Sequence, residues 1–154
     1  MKEIIEKLIK LNKTISVMES CTGGAMSNEI TNTPNSSLVF KVGLVTYSNE
    51  YKIKFGVDSN LIDKYSVYSK EVSIDMSKKV TMFSNSNYGI GITGKLLKED
   101  PNNLKGDIDC VYYSIYDKDK DIVYSNKVIV NSKDRIINKD LVVKSVINDL
   151  NKII

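Results

Sequence analysis

The stretch that most constrains this chain runs from Thr14 to Thr33: a short apolar run, a pair of glycines, then a helical pattern. Thr14-Ile15-Ser16-Val17-Met18 reads as a buried strand. Ala25 to Thr33 carries Met26, Glu29, Ile30 and Thr33 at helical spacing. Between them, Glu19-Ser20-Cys21-Thr22-Gly23-Gly24 is a strand end, a tight turn and a helix start. Groups at such a turn point into the space beyond the sheet edge, where open α/β sheets bind their ligands. Gly23 and Gly24 let a ligand approach the backbone closely. The helix N-terminus behind them favours an anion or a developing oxyanion. Ser20 is then a hydroxyl beside a pre-built anion site.

The rest of the chain fits around that unit. Ile4, Ile5, Leu8 and Leu11 share one face of an opening helix that ends at Asn12-Lys13. Asn32 to Ser37 is a loop by composition, and Leu38 to Tyr47 reads as a second strand. Gly43 inside that strand signals a close backbone approach or a bulge. Ser48-Asn49 caps a short helix to Phe55, Gly56 stops it, and Asp58 caps another over Ser59 to Lys64. Ser69 starts a longer helix whose stripe is Val72, Met76, Val80 and Phe83. Tyr88 to Ile92 is a glycine-loosened strand, and Lys95 to Gly106 a polar, mobile surface loop. Ile108–Tyr116 and Ile122–Val130 flank a charged turn and predict an antiparallel hairpin. The last helix, from about Lys133, carries Val143, Val146, Ile147, Leu150 and Ile154 on one face. This order predicts an α/β fold: a three-layer α/β/α sandwich around a mixed, mostly parallel sheet.

The 154 residues suit one domain, 1–154, with no linker inside it. Net charge is only +3 and the lysines are scattered, so no nucleic-acid partner is expected. No apolar run approaches the roughly 20 residues that span a bilayer. The N-terminus lacks the apolar core of a secretory signal. A cytoplasmic protein with no membrane partner is expected. The two cysteines, Cys21 and Cys110, are expected to be free thiols there.

The chain has no histidine. That removes Ser-His-Asp and Cys-His mechanisms and the usual zinc sites, so no metal is expected. Three turns bring reactive groups to strand ends: Ser20 to Gly24, Thr46 to Lys52, and Gly89 to Gly94. If the ends converge, one crevice holds all three. A serine there needs a base, which must be Lys, Tyr, Asp or Glu. Lys52 lies one helical turn past a strand end and can fold back over the crevice. Burial would lower its pKa toward neutrality. Tyr47 could relay the proton or hold the nucleophile, and N–H groups of Cys21 to Gly24 could take an oxyanion. Residue type alone leaves structural roles open for each. Ser20 or Thr22 serves equally as a helix cap, Lys52 as a surface lysine, Tyr47 as a packed strand aromatic. Gly89, Gly91 and Gly94 serve tight turns, and Cys21 is either a buried filler or a low-pKa thiol competing with Ser20.

The spelled-out strings narrow this. Glu19-Ser20-Cys21-Thr22-Gly23-Gly24 resembles the ESCTGG signature of the CinA-like (competence-damage-inducible protein) C-terminal domain family. Thr46-Tyr47-Ser48-Asn49-Glu50-Tyr51-Lys52 followed by Phe55-Gly56-Val57 is similar to its TYSNEAK…LGV segment, and Gly91-Ile92-Thr93-Gly94 to its GIAG turn. The resemblance implies a nicotinamide-nucleotide amidase, which hydrolyses the carboxamide of nicotinamide mononucleotide to nicotinate mononucleotide and ammonia. It implies a three-layer α/β/α fold, no metal or other cofactor, and self-association into a homo-oligomer. By motif position Ser20 is the nucleophile and Lys52 the base, with Tyr47 beside it. Cys21, Thr22, Gly23, Gly24, Asn49, Gly91, Thr93 and Gly94 are the substrate contacts, holding phosphate or oxyanion. Larger relatives carry an extra N-terminal domain, so only the amidase part is expected here.

The chain departs from the pattern in places. The family turn continues into a proline and a glycine-rich loop; here it runs Gly94-Lys95-Leu96-Leu97-Lys98. Ser66-Val67-Tyr68-Ser69 stands where the family has Gly-Ala-Val-Ser, and an arginine pair of the last helix reads as Arg135 and Lys139. The altered turn leaves a second function open, a nucleotide-binding module without catalysis. A third, a protein-interaction part in DNA uptake or repair, rests on the family's name alone. Lys95 and Lys98 either face a phosphate or face solvent.

Overall fold

The apolar run after Thr14 becomes β1 (Ile15–Glu19), a strand buried at every residue. The structure, a computed structural model, describes residues 1–154. In chain order the other elements are α1 (Lys2–Lys10), α2 (Ala25–Thr31), β2 (Phe40–Val45), α3 (Asn49–Lys54), α4 (Ser59–Tyr65), α5 (Lys70–Ser84), β3 (Tyr88–Gly94), β4 (Cys110–Asp117), β5 (Ile122–Ile129) and α6 (Arg135–Ile153). A single 3-10 turn, Ser36–Leu38, precedes β2.

The five strands form one sheet in the order β2-β1-β3-β4-β5. β1 pairs in parallel with β2 and β3, while β4 runs antiparallel to both β3 and β5. Two apolar clusters cover its faces. On one face Ile4, Leu8, Ile30, Val142 and Val146 from α1, α2 and α6 pack on Val17, Ile90 and Tyr113. On the other, Met18 meets Ile62, Val72, Met76 and Val80 from α4 and α5. The result is the mixed α/β sandwich that the order of patterns predicts.

This topology gathers the functional segments. The carboxyl ends of β1, β2 and β3 share one edge because those strands are parallel. β4 is antiparallel, so its start lies there too: Gly94 pairs with Val111, and the Lys95 N–H donates to the Cys110 carbonyl at 3.2 Å. β5 ends at the same edge and delivers the first turn of α6 beside it.

Three side chains sit elsewhere than the patterns place them. Leu11 lies beyond α1 and is exposed, because the helix closes at Lys10. Leu38 belongs to the 3-10 turn, not to the strand. Phe83 is exposed rather than in the α5 stripe; it meets Phe55 edge-on with ring centroids 5.6 Å apart. Small residues take the buried side of α5 instead. Ser73, Ser77 and Thr81 are fully buried there and face Gly89 and Gly91 of β3.

Those two glycines therefore serve packing. A Cβ on Gly91 would lie 2.2 Å from the Ser73 carbonyl oxygen and 2.6 Å from the Ser77 nitrogen, both backbone atoms that cannot swing away. Gly91→Ala is expected to push α5 off the sheet and destabilise the fold by about 2 kcal/mol, the usual cost of overpacking a tight core. Urea unfolding checks this through a lowered midpoint at unchanged slope.

Candidate active site

At the shared edge lies a cavity of about 600 Å³, within the size range of small-ligand pockets. Ser20 and Cys21 line it from the β1 turn, Tyr47 and Asn49 from the β2–α3 junction, and Gly94 from the end of β3. Arg135 reaches it from α6 and Tyr68 from the segment before α5.

Lys52 is the unusual group. The Ser48 hydroxyl caps α3, accepting from the Tyr51 N–H at 3.3 Å, and the helix then turns Lys52 inward. Only 1% of Lys52 is exposed. Its Nζ donates to the Thr46 carbonyl at 2.7 Å and to the Ser20 Oγ at 3.0 Å. No carboxylate forms an ion pair with it. Burial of an ammonium without a counter-charge disfavours the charged form. The Lys52 amine accordingly falls to about 8, although the Cys21 sulfur and the Asp100 carboxylate act in the opposite direction.

Ser20 itself is almost wholly buried at the cavity floor. Its N–H donates to the Ile92 carbonyl at 3.0 Å, which pins the turn to β3. The turn's own donors are divided. The Gly23 N–H bonds back to the Ser20 carbonyl at 3.0 Å. The N–H groups of Gly24, Met26 and Ser27 all donate to the Glu19 carboxylate, at 3.1, 3.0 and 2.8 Å, and the Ser27 hydroxyl adds a bond of 2.6 Å. The expected anion site at the start of α2 is therefore filled by the protein's own Glu19, which satisfies that helix end from inside. The N–H groups of Cys21 and Thr22 find no acceptor in the protein. Of the two, Cys21 lines the cavity, while Thr22 lies buried behind it.

The other expected contacts divide as well. Thr22 is buried, with an Oγ1 that has no partner. Gly23 and Gly24 both hold positive φ, +61° and +96°, which explains the glycines by backbone shape. Gly91 and Thr93 do not reach the cavity: Gly91 lies under α5, and the Thr93 hydroxyl donates to the Val67 carbonyl at 2.9 Å. Tyr47 is two-thirds exposed, at 66%, with its hydroxyl bonded to neither Ser20 nor Lys52. Cys21 does not carry the reactive thiol that a helix N-terminus could create, because burial pushes it up to about 12.

The segment Lys95 to Gly106 is the mostly exposed loop expected of it, but its start is buried and its polar groups are bonded. Lys95 and Leu96 are buried. The Lys95 amine donates to Glu99 at 3.0 Å and to the carbonyls of Leu104 and Gly106, each at 3.2 Å. Asp100 accepts from the Tyr68 hydroxyl, and the Asn49 amide donates to Asn103 at 2.7 Å. The segment is thus tied down as one wall of the cavity. Glu19, Tyr68 and Asp100 are site residues that patterns along the chain do not single out. Only Glu19 left a trace, as a carboxylate one position past an apolar strand and just ahead of a glycine turn. No helix is long and apolar enough to cross a membrane, and no group of three or more Cys, Asp or Glu side chains is gathered to hold a metal ion.

With the geometry in place, comparison with known proteins is informative. A family model described as the CinA C-terminal domain matches residues 1–154. A protein of Alkaliphilus oremlandii, provisionally named competence-damage inducible, is 44% identical over 96 residues, covering 61% of this chain and 23% of that protein. One of the same name from Clostridium kluyveri is 38% identical over 120 residues, covering 77% of this chain and 29% of the relative. The chain thus spans about a quarter of the length of these curated relatives. A crystal structure of a competence-damaged protein (CinA) superfamily member from Escherichia coli superposes with a TM-score of 0.90 at 20% identity, covering 99% of this chain and 87% of the other. A competence/damage inducible protein from Agrobacterium tumefaciens gives 0.83 at 21%, covering 97% and 94%. At these identities the structural likeness speaks for the fold. The full-length family match and the shared architecture lead to one conclusion: the chain belongs to the CinA C-terminal domain family.

Proposed function

We propose that the chain is a serine amidase that hydrolyses the carboxamide of nicotinamide mononucleotide or a close relative, with Ser20 as nucleophile and Lys52 as base. The observation that carries this reading is the 3.0 Å contact between the buried Lys52 amine and the hydroxyl of Ser20, a residue that lines the cavity of about 600 Å³. The substrate comes from the resemblance of the Ser20 and Lys52 motifs to the amidase signature.

The chemistry follows from the groups in place. The neutral Lys52 amine takes the Ser20 proton as Oγ attacks the amide carbon. The oxyanion that forms is met by the free N–H groups of Cys21 and Thr22. Lys52, now an ammonium braced by the Thr46 carbonyl, returns the proton to the leaving nitrogen, and ammonia departs. The same amine then deprotonates a water that cleaves the acyl-enzyme. Tyr47, exposed beside the cavity, contributes a ring surface to the substrate rather than a proton relay. Cys21 does not compete with Ser20, since its thiol stays protonated throughout this cycle.

Three outcomes are expected. Ser20→Ala abolishes ammonia release with the fold intact, and Lys52→Ala lowers kcat by 10²–10⁴-fold, roughly the range for loss of a general base. Ammonia release by purified variants, with circular dichroism alongside, checks both; nucleotide binding without turnover by the unaltered chain would favour the binding-module function instead. Because the neutral amine is the active form, kcat/KM rises about tenfold per pH unit below the Lys52 pKa and levels off above about 8. Iodoacetamide at pH 8 leaves both buried cysteines, Cys21 and Cys110, unmodified in the folded chain and labels both in urea.

A further inference from the structure

Two carboxylates face the cavity, Glu99 and Asp100, and they differ in their partners. Glu99 is paired with the Lys95 ammonium at 3.0 Å. Asp100 forms no ion pair. It is held by neutral donors: the Tyr68 hydroxyl, the Asn103 amide at 2.8 Å and the Asn102 N–H at 2.9 Å. Such donors orient a carboxylate without cancelling its charge, and the Tyr68 bond above all holds its pKa below the usual carboxylate range. The Asn49–Asn103 bond ties this arrangement to α3, the helix that carries Lys52. Asp100 is also near enough to the reacting centre to raise the Lys52 pKa.

The same cavity holds opposite charges that lack an acidic partner. Lys98 enters no salt bridge, and the Arg135 guanidinium has only a long contact of 3.5 Å to the Leu96 carbonyl. One aromatic face is free as well. Lys95 sits 5.4 Å from the Tyr68 ring centroid, whereas the exposed Tyr47 ring faces no cation. A cavity with an unpaired anion, unpaired cations and an open aromatic face suits a ligand with a cationic ring and a separate anionic group. An N-ribosylated nicotinamide with a phosphate has that charge layout.

We propose that Asp100 is a specificity residue that selects the positively charged pyridinium ring of the nucleotide over an uncharged ring of the same shape. The inference rests on the amidase reading for the identity of the ligand. It adds that the enzyme distinguishes oxidised from reduced nicotinamide nucleotides by charge. Asp100 takes no proton in the reaction; it sets which ring is held against Ser20.

The test is calorimetry with oxidised and reduced nicotinamide mononucleotide, whose rings differ in charge and little in size. Ser20→Ala is used so that bound amide is not consumed. This variant is expected to bind the oxidised form about tenfold more tightly than the reduced form, the scale of one screened charge pair. Adding Asp100→Asn, which keeps the shape and, with its amide oxygen toward Tyr68 and Asn103, gives up only the Asn102 N–H bond, should bring the two affinities within about twofold by weakening the oxidised form alone. Unchanged binding of the reduced form then shows that the cavity is intact. Equal affinities in Ser20→Ala, a preference that survives Asp100→Asn, or equal weakening of both ligands would overturn the proposal. A second readout is the pH profile of ammonia release: Asp100 and Cys21 are the groups that raise the Lys52 pKa, so Asp100→Asn alone should move the rise to lower pH. The two proposals fail separately. Turnover without charge preference defeats this one, and charge preference without turnover defeats the amidase.

Discussion

A single lysine, buried without a counter-charge, is the constraint on which the site depends. Charge on Lys52 is costly where it sits, and its two hydrogen bonds, to the Thr46 carbonyl and the Ser20 hydroxyl, leave the amine few other places to go. Lys95, the other buried lysine, keeps a carboxylate partner in Glu99 at 3.0 Å, and a paired surface lysine such as Lys152 with Asp149 keeps its water as well. Lys52 gives up that comfort. In exchange, the charged form of its amine is disfavoured, which is the condition that the proposed base role needs. A chain without histidine reaches by burial what imidazole supplies by its intrinsic pKa.

The fold holds the neighbouring Ser20 in place through another buried ionisable side chain. Glu19 ends β1 and uses both carboxylate oxygens to satisfy the start of α2. Ser27 joins that network, and Gly43 of β2 leaves it room: a Cβ on Gly43 would fall 2.3 Å from the Ser27 Oγ. Together with the Ser20–Ile92 backbone bond, this fixes the turn on both sides. The arrangement divides labour within six residues. Glu19 consumes the helix donors, Gly23 and Gly24 shape the turn, and the N–H groups of Cys21 and Thr22 are left without internal partners. A site of this kind keeps its donors pre-oriented, so they need not reorganise as charge develops.

Much of this was legible along the chain, and the rest was hidden for specific reasons. The elements and their order follow from periodicity and turn residues, and the parallel-then-antiparallel sheet follows from where helices or a tight turn separate strands. Strand ends converge in such a sheet, which is why Ser20 and Lys52, 32 residues apart, meet at bonding distance. What periodicity does not carry is which polar group a buried donor chooses. The start of α2 looked open to an anion because the competing anion, Glu19, lies before the turn and bends back onto it. Gly91 looked like a ligand turn because glycine signals close approach without saying by what; the approaching group is α5. The segment after Gly94 looked like free surface because its composition is polar. Its polar groups are instead spent on one another, with Lys95 folded under its own loop and Asp100 held by Tyr68.

The match to the CinA C-terminal domain covers the whole chain. After Gly94, Lys95, Lys98, Glu99 and Asp100 form a wall of charged residues along the cavity. The account stands or falls on the protonation of one amine. The most direct measurement is an NMR titration of the Lys52 side chain, labelled with carbon-13 at Cε and assigned by comparison with a Lys52→Arg variant. A midpoint near pH 8 is the result that a buried, unpaired lysine requires. A midpoint near the ordinary value of 10.5 would show an ammonium at neutral pH, and Ser20 would be left without a base.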